Sequence, residues 1–219
     1  MADRQIQPLE EVAPLRQQVY DRLEDLIIYG ALPPGEHLVE SDLASRLGVS
    51  RIPIREALQL LHSNGWVELR PRFGAFVHEP MIEEVDDAFD VRTLLETESA
   101  RLAAAHASPE DVGRLKQILE MGAAAVEGDD EEELVKLNSE FHRQITSISG
   151  NQILAELLGR LDKRIRWYFG SVVSTRGEAS WREHEDLVAA LEAGDPDRAA
   201  DVMRRHAELT KTAYHESRE

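Results

Sequence analysis

The chain lacks cysteine, and it contains no apolar run that approaches the length of a membrane span. Without cysteine there is neither a disulfide framework nor a thiolate metal site. Its first residues, MADRQIQPLEEVAPL, lack the apolar segment of a signal peptide. These absences argue against a disulfide-rich secreted protein and a membrane-spanning protein. We expect a cytoplasmic globular protein of 219 residues, long enough for one large or two small domains.

Basic residues are also scarce, with 25 lysines and arginines against 42 aspartates and glutamates and a net charge of −17. Such a balance argues against DNA as a partner, because affinity for DNA comes largely from cations that neutralise phosphates. The deficit is uneven, however: residues 46–72 contain five arginines and only two glutamates. Charges are screened beyond about 8 Å at physiological salt, so this local patch can act despite the acidic remainder.

Residues 38–77 predict two short helices followed by a hairpin. Ser41 is a candidate N-cap of the first helix, Gly48 ends that helix, and Ser50 is a candidate N-cap of the second. The predicted strands are residues 66–69 and 75–77, and residues 71–74 form the predicted turn between them. This order of elements describes a winged helix-turn-helix, a module that places its second helix in the major groove of DNA.

That second helix carries the best candidates for DNA contacts. Arg51 and Arg55 are four positions apart and therefore share one face, and arginine is well suited to a bidentate contact with guanine. Ser50 would add a hydroxyl for a phosphate at the N-terminus of the helix. Further candidates for the backbone or the minor groove are Arg70 and Arg72 at the wing tip, and Arg46. The alternative interpretation is that these are solvated surface arginines.

The second half of the chain has a helical pattern throughout. The predicted helices span residues 83–106, 109–127, 130–149, 151–173, 177–193 and 195–216, with one of the breaks at Gly177. The predicted fold class is mainly α, with an N-terminal winged helix-turn-helix domain followed by an antiparallel bundle of six or seven helices. The predicted domains are a flexible arm at 1–11, a DNA-binding domain at 12–78, a hinge at 79–83 and an all-helical domain at 84–219.

Three histidines of the helical half fall on predicted inward faces of three different helices: His142, His184 and His206. Asn138 precedes His142 by four positions, so the two share a helix face. Three imidazoles and one amide oxygen would suit a divalent first-row metal inside a bundle. Each histidine could equally be a satisfied core or surface residue, and periodicity alone does not select these three from the eight in the chain.

The run PGEHLVESDLASRLGVSRIPIREALQLLHSNGWVELRPRFGAFV resembles the DNA-binding domain of GntR-type transcription regulators. The helical half is similar to the FadR branch, with its FCD ligand-binding domain, and six helices would fit the VanR-like subgroup. The resemblance implies a homodimer on a palindromic operator, with Arg51 and Arg55 as recognition arginines and Gly74 as the wing glycine. Some members have an arginine where this chain has Ser41.

The resemblance also bears on the histidines. Many FCD domains carry Asp-x-x-x-His on one helix and two further histidines on the last two helices, and His142, His184 and His206 match these positions. Asn138 departs from the pattern, and an amide is a weaker ligand because it brings no charge. The resemblance implies a divalent metal, such as Zn, Ni or Mn, that assists binding of a small carboxylate effector.

Two arginines are candidates for holding that effector. Arg92 matches an arginine that the family turns into its pocket, although it could instead form a weak ion pair with Glu96, four positions on. Arg164 shares a predicted helix face with apolar residues and is the second candidate.

The sequence thus predicts a ligand-responsive transcription regulator, most simply a repressor, rather than an enzyme. One alternative keeps the regulator but lets the histidines bind the effector directly, without metal. Another is a metal-dependent enzyme in the bundle, since three histidines would leave positions open for water. The acidic residues adjacent to the cluster in sequence, Glu140 and Glu185, are expected to point elsewhere.

Overall fold

The structure is a computed structural model that describes residues 14–218. The predicted flexible arm, residues 1–11, lies outside the described residues. The chain divides into two compact units, one ending at Glu79 and the other beginning at Pro80, with residues 28–30 belonging to the second unit. Within the described residues, no helix is both long enough and apolar enough to cross a membrane.

The first unit has the predicted winged helix-turn-helix architecture. Its elements are α1 (Leu15–Ile28), β1 (His37–Leu38), α2 (Glu40–Leu47), α3 (Arg51–Ser63), β2 (Val67–Arg70) and β3 (Gly74–Val77). Strand β3 lies between β1 and β2 and pairs antiparallel with both, with Arg70 opposite Gly74 at the hairpin end. The sequence did not predict β1, because two residues are too short for an alternating pattern to be recognised.

Helix α2 begins two residues earlier than predicted. Val39 is its N-cap residue, in an extended conformation, so Ser41 lies inside the first turn and the predicted cap at Ser41 is wrong. Gly48 ends the helix with φ +67°, as expected for a left-handed C-terminal residue. Ser50 occupies the N-cap position of α3, but its side chain makes no capping hydrogen bond.

A small apolar core fixes α3 against the rest of the first unit. Its fully buried members include Leu23, Ile27, Leu32, Ile54, Leu61 and Val77. Ile54, Leu58 and Leu61 form the inner face of α3 and are all buried. The opposite face of the helix is therefore left for solvent or a partner.

The second unit is a bundle of six helices between residues 80 and 218. They are α4 (Ile82–His106), α5 (Pro109–Glu127), α6 (Glu131–Ile148), α7 (Gln152–Gly170), α8 (Val173–Glu192) and α9 (Pro196–Glu216). The predicted break at Gly177 is wrong: α7 ends at Gly170, and Gly177 lies within α8. A Cβ at Gly177 would make only ordinary van der Waals contact, 3.5 Å from the side chain of Leu134, so the packing does not require a glycine at this position.

Helix α4 packs along α9 and also contacts α6 and α7, while α8 packs against α5 and α9. The apolar core of this unit includes Leu115, Phe141, Ile145, Leu187, Leu191 and Met203. Polar side chains are buried beside this core on α4, α6, α8 and α9, and these side chains form the candidate site of the helical unit.

Candidate DNA-binding face and candidate metal centre

The two arginines predicted for base recognition project from the outer face of α3. The side chains of Arg51 and Arg55 are 62% and 61% exposed, because the buried face of the helix is on its other side. Both form hydrogen bonds with Glu40, the first residue of α2. Arg55 donates from Nε and Nη2, each over 2.9 Å, and Arg51 donates from Nη2 over 3.1 Å. The guanidinium of Arg55, with that of Arg51, lowers the pKa of Glu40 to about 2.

The wing tip is held in an unusual backbone conformation. The amide of Phe73 donates to the carbonyl of Arg70 across Pro71 and Arg72, and Arg72 has φ +70°. A proline at the second position and a positive φ at the third match a type II turn, which normally places glycine or asparagine where Arg72 stands. An arginine is therefore kept at a position that its backbone disfavours.

The other wing residues are held by local contacts. The guanidinium of Arg70 lies 4.3 Å from the ring centroid of Phe76 and also donates to Glu68. Gly74 has φ +99°, and a Cβ there would stand 2.9 Å from Nε2 of His37. A groove of about 580 Å³ is lined by the four arginines Arg51, Arg55, Arg70 and Arg72, together with Glu40 and Gly74. Arg46 does not line this groove; it is exposed and lies 3.8 Å from Asp42.

The three predicted histidines come together in the core of the helical unit. His142 on α6, His184 on α8 and His206 on α9 are all buried, and each offers a nitrogen within 4.8 Å of those of the other two. The ring centroids are 5.3 Å apart for His142 and His184, and 4.7 Å apart for His184 and His206. The three side chains thus form one buried cluster drawn from three helices.

Two glutamates that the sequence did not single out adjoin the histidines. Glu183 accepts a hydrogen bond from Nδ1 of His206 over 2.8 Å and another from Nη2 of Arg176 over 2.5 Å. This bond leaves Nε2 of His206 with its lone pair, in the arrangement by which carboxylates commonly orient metal-binding histidines. Oε1 of Glu96 lies 3.1 Å from Nδ1 of His142. Each of these glutamates contacts a histidine on a different helix, so no local sequence pattern could predict the pairs.

Burial favours the neutral form of the His184 and His206 imidazoles. It lowers the pKa of His206 to about 4, although Glu183 acts in the opposite direction. Burial, together with the neighbouring histidines, also holds the pKa of His184 well below its ordinary value. Neutral imidazole is the form that binds metal ions.

Several buried polar atoms near the cluster lack partners. Neither ring nitrogen of His184 has a hydrogen-bond partner among the described residues, and the same holds for Oδ1 of Asn138. A buried polar atom without a partner costs about 1–3 kcal/mol. A divalent ion would satisfy such nitrogen and oxygen donors, so the residues present fit a metal of the first transition row.

Arg92 is almost fully buried and links Glu96 to the histidine cluster. Its Nε donates to Glu96 over 2.9 Å, and its Nη2 donates to Nε2 of His142 over 3.1 Å. Burial alone would raise the pKa of Glu96, but the neighbouring charge of Arg92 lowers it to about 2. The ion pair with Glu96 is thus present and belongs to the histidine cluster.

A cavity of about 680 Å³ adjoins the cluster between α4, α6 and α7. Its polar wall includes Arg92, Glu96, Asn138 and His142, and apolar side chains such as Leu158 and Ile165 line the rest. The cavity is of the size that holds a small organic ligand. Arg164, the second predicted effector residue, does not line this cavity and instead hydrogen-bonds Tyr168. Arg166, two positions further along the same helix, does line it.

Glu140 and Glu185, the acids next to the histidines in sequence, take no part in the cluster. Glu140 pairs with Arg143 over 2.6 Å, and Glu185 is exposed.

Comparisons with known proteins agree on the class. Residues 15–77 match the gntR family of bacterial regulatory proteins, and residues 87–209 match the FCD domain. The chain is 30% identical to the HTH-type transcriptional regulator YdhC of Bacillus subtilis over 90% of both proteins. It is 29% identical to the HTH-type transcriptional repressor RspR of Escherichia coli, over 90% of this chain and 88% of RspR. The solved structure of Escherichia coli McbR/YncC superposes with a TM-score of 0.78 at 26% identity, covering 95% of this chain and all of that one.

Proposed function

The chain belongs to the GntR family of bacterial regulatory proteins and carries an FCD domain, and from that premise we propose that it is a repressor controlled by a small organic acid. Its relatives are transcription regulators and not enzymes, so the enzymatic alternative is set aside. The helix-turn-helix of this family implies DNA binding. The proposal adds the operator, the oligomeric state, the metal and the effector.

The DNA contacts that we propose rest on one observation: four arginines line a single groove between α3 and the wing. Arg51 and Arg55 would read bases in the major groove, whereas Arg70 and Arg72 would contact the backbone or the minor groove. Ser50 would offer its hydroxyl to a phosphate at the N-terminus of α3, Gly74 would let the wing backbone approach closely, and Arg46 would contribute charge. One winged helix reads one half-site, so a palindromic operator requires two copies of the chain.

A gel-shift assay tests this assignment on a duplex that the protein selects from a random library. We expect Arg51→Ala to weaken binding to the selected duplex by about 1–3 kcal/mol, the value of a bidentate base contact. Arg182→Ala is the matched control, because Arg182 is a similarly exposed arginine of α8, with 69% of its side chain accessible. Equal affinity of both variants for the selected duplex would contradict the assignment.

A homodimer is supported by exposed apolar side chains on two helices that pack against each other. Val91 and Leu94 of α4 are 45% and 73% exposed, and Ile153 and Leu157 of α7 are 62% and 42% exposed. Apolar surface of this kind marks interfaces. In sedimentation experiments we expect Leu94→Lys to shift the protein towards monomer. Met121→Lys, at an exposed position of α5, should leave the mass unchanged.

His142, His184 and His206 would hold the metal, with Asn138 as a further oxygen donor. Zn, Ni and Mn all fit this donor set. When bound, the metal would supply positive charge that attracts a carboxylate. Metal analysis of protein purified without a histidine tag tests the assignment: we expect His184→Gln to lose metal and His106→Gln, outside the cluster, to keep it. Unchanged metal content in His184→Gln would contradict it.

The cavity between α4, α6 and α7 would bind the effector, a small carboxylate for which Arg92 is the candidate cation. Arg164 stays a weaker prediction, because it lies outside the cavity lining. The effector must bind the DNA-free and DNA-bound forms with different affinities, since otherwise it cannot shift their balance. Thermal-shift screening of small carboxylic acids, with and without added metal, identifies candidates, and a true effector also releases the selected duplex.

One observation favours a second version, in which the effector touches the histidines without metal. His142 and Asn138 line the cavity and could hydrogen-bond a ligand directly. The melting temperature distinguishes the two versions. An effector that raises it equally in chelator-treated and metal-loaded protein supports direct contact, whereas metal-assisted binding requires a larger rise in the metal-loaded protein.

A further inference from the structure

Glu40 contacts both recognition arginines although it lies on a different helix. We propose that Glu40 is a positioning residue for sequence readout, which orients Arg51 and Arg55 so that their free N–H groups face the bases. This inference rests on the proposed DNA-binding function. It assigns a role in recognition to an acidic side chain, which by its charge alone would only oppose DNA binding.

The orienting role follows from which edge of the Arg55 guanidinium Glu40 occupies. Arg55 uses Nε and one N–H of Nη2 on the two carboxylate oxygens of Glu40. A guanidinium has five N–H donors in a planar fork, so this side-on contact fixes the plane of the group. The outer edge, formed by Nη1 and Nη2, remains free to donate. Guanine presents O6 and N7 side by side and requires two parallel donors of that kind. Glu40 therefore leaves Arg55 with the edge that a guanine needs.

The anchoring of Glu40 suits such a role. It is the first residue of α2, where a negative charge is favoured by the helix dipole. Its side chain is only 26% exposed, against 62% for Arg51 and 61% for Arg55, so the carboxylate lies beneath the two guanidinium groups. One carboxylate between two cations leaves a net positive charge for the phosphates. A pKa of about 2 keeps Glu40 ionised at neutral pH.

An ordinary surface ion pair between Glu40 and the arginines would lead to a different experimental result. Such a pair contributes about 0–1 kcal/mol to stability, mainly through the attraction of the two charges. If Glu40 only neutralised charge, its removal would strengthen binding to every duplex by a similar factor. If Glu40 orients the arginines, its removal lowers the preference for the correct base pair, whatever happens to the affinity for unrelated DNA.

The experiment compares the wild-type protein with Glu40→Gln and Glu56→Gln. Glutamine keeps the shape of the side chain and removes the charge. Glu56 is the matched control, because it is an exposed acid of α3 itself and forms none of the contacts with Arg51 or Arg55. Each protein is titrated with three duplexes over a salt series: the selected duplex, the same duplex with one G·C pair of the half-site replaced, and an unrelated sequence.

Both glutamine variants should bind the unrelated duplex more tightly, because each removes one negative charge. Only Glu40→Gln should lose discrimination between the selected duplex and its single-pair variant, by about tenfold, within the range of one bidentate base contact. Melting temperatures measured on the same samples show whether folding is affected, and a purely structural role would leave the discrimination ratio unchanged.

Discrimination in Glu40→Gln equal to that of the wild type overturns the inference and leaves the proposed function intact. Equal loss in Glu56→Gln also overturns it, since charge alone would then be the cause. A wild-type protein that prefers no sequence contradicts the proposed function itself.

Discussion

The guanidinium of Arg92 donates a hydrogen bond from Nη2 to Nε2 of His142 over 3.1 Å, inside the helical unit. Arginine stays protonated in proteins, so the imidazole must accept with the lone pair of Nε2. A metal ion bound at that nitrogen would require the same lone pair. Arg92 and a metal at Nε2 of His142 therefore exclude each other, and the charge of Arg92 adds electrostatic repulsion.

Arg92→Met should bind Zn or Ni more tightly than the wild type when no effector is present. We expect a gain on the order of tenfold, the equivalent of a hydrogen bond to a charged group, about 1.5 kcal/mol. Competition with a chromogenic chelator measures the affinity. Because the substitution leaves the buried Glu96 without its partner, stability should fall by about 3–5 kcal/mol.

Two further variants separate these effects. Arg92→Met combined with Glu96→Gln removes the unpaired carboxylate and should recover stability while it retains the higher metal affinity. Arg143→Gln changes an arginine of the same cavity lining that is 65% exposed, and it should match the wild type. Wild-type metal affinity in both Arg92 variants would show that the hydrogen bond does not compete.

The metal-free protein should lose stability as the pH falls below about 6.5. His206 has a folded pKa of about 4 against 6.5 for an unperturbed histidine. Between these values the unfolded chain binds more protons than the folded one, so the free energy of unfolding decreases with falling pH. The full difference corresponds to about 3 kcal/mol. Urea titrations in chelator at several pH values measure it. His206→Gln should flatten this dependence, and an equally steep curve for that variant would refute the assignment.

Two glycines of α5 should respond oppositely to alanine. A Cβ at Gly122 would stand 1.7 Å from Trp181, whereas a Cβ at Gly113 meets nothing within 4 Å. Gly122→Ala should cost about 1–3 kcal/mol through overpacking, and Gly113→Ala should add up to about 1 kcal/mol through helix propensity. Urea denaturation compares them. Trp181 also packs edge-on against His184, with ring centroids 5.0 Å apart, so Gly122→Ala should weaken metal binding as well. Similar stability of the two variants would contradict this packing.

Arg72→Asn should separate stability from DNA binding. Asparagine tolerates positive φ better than arginine, so the substitution should leave the melting temperature unchanged or raise it slightly. Loss of the wing charge should weaken binding to the selected duplex and lower the salt dependence by about one unit. Arg72→Lys, which keeps the charge, should retain most of that dependence. A lower melting temperature for Arg72→Asn would contradict the backbone argument.

Local signals in the sequence explain which features could be predicted. Gly48 marked the end of α2, and the histidine spacing brought His142 and Asn138 to one inward face. Gly177 misled the prediction, because a glycine inside a helix has the same appearance in sequence as one that ends a helix.

Contacts between separate elements left no such signal. Glu40 reaches Arg55 across 15 positions, and Glu183 reaches His206 across 23. Helical periodicity shows which residues face inward, but it does not show which partner on another helix each one meets.

His142 belongs to the histidine cluster and also to the wall of the cavity. A metal in the cluster and a ligand in the cavity would both act on His142. Thermodynamic linkage then requires each of them to change the affinity of the other by the same factor. A regulator built in this way would respond to a coincidence of two chemical signals. Under the proposed function, depleting the metal would lower the sensitivity of such a regulator to its organic acid.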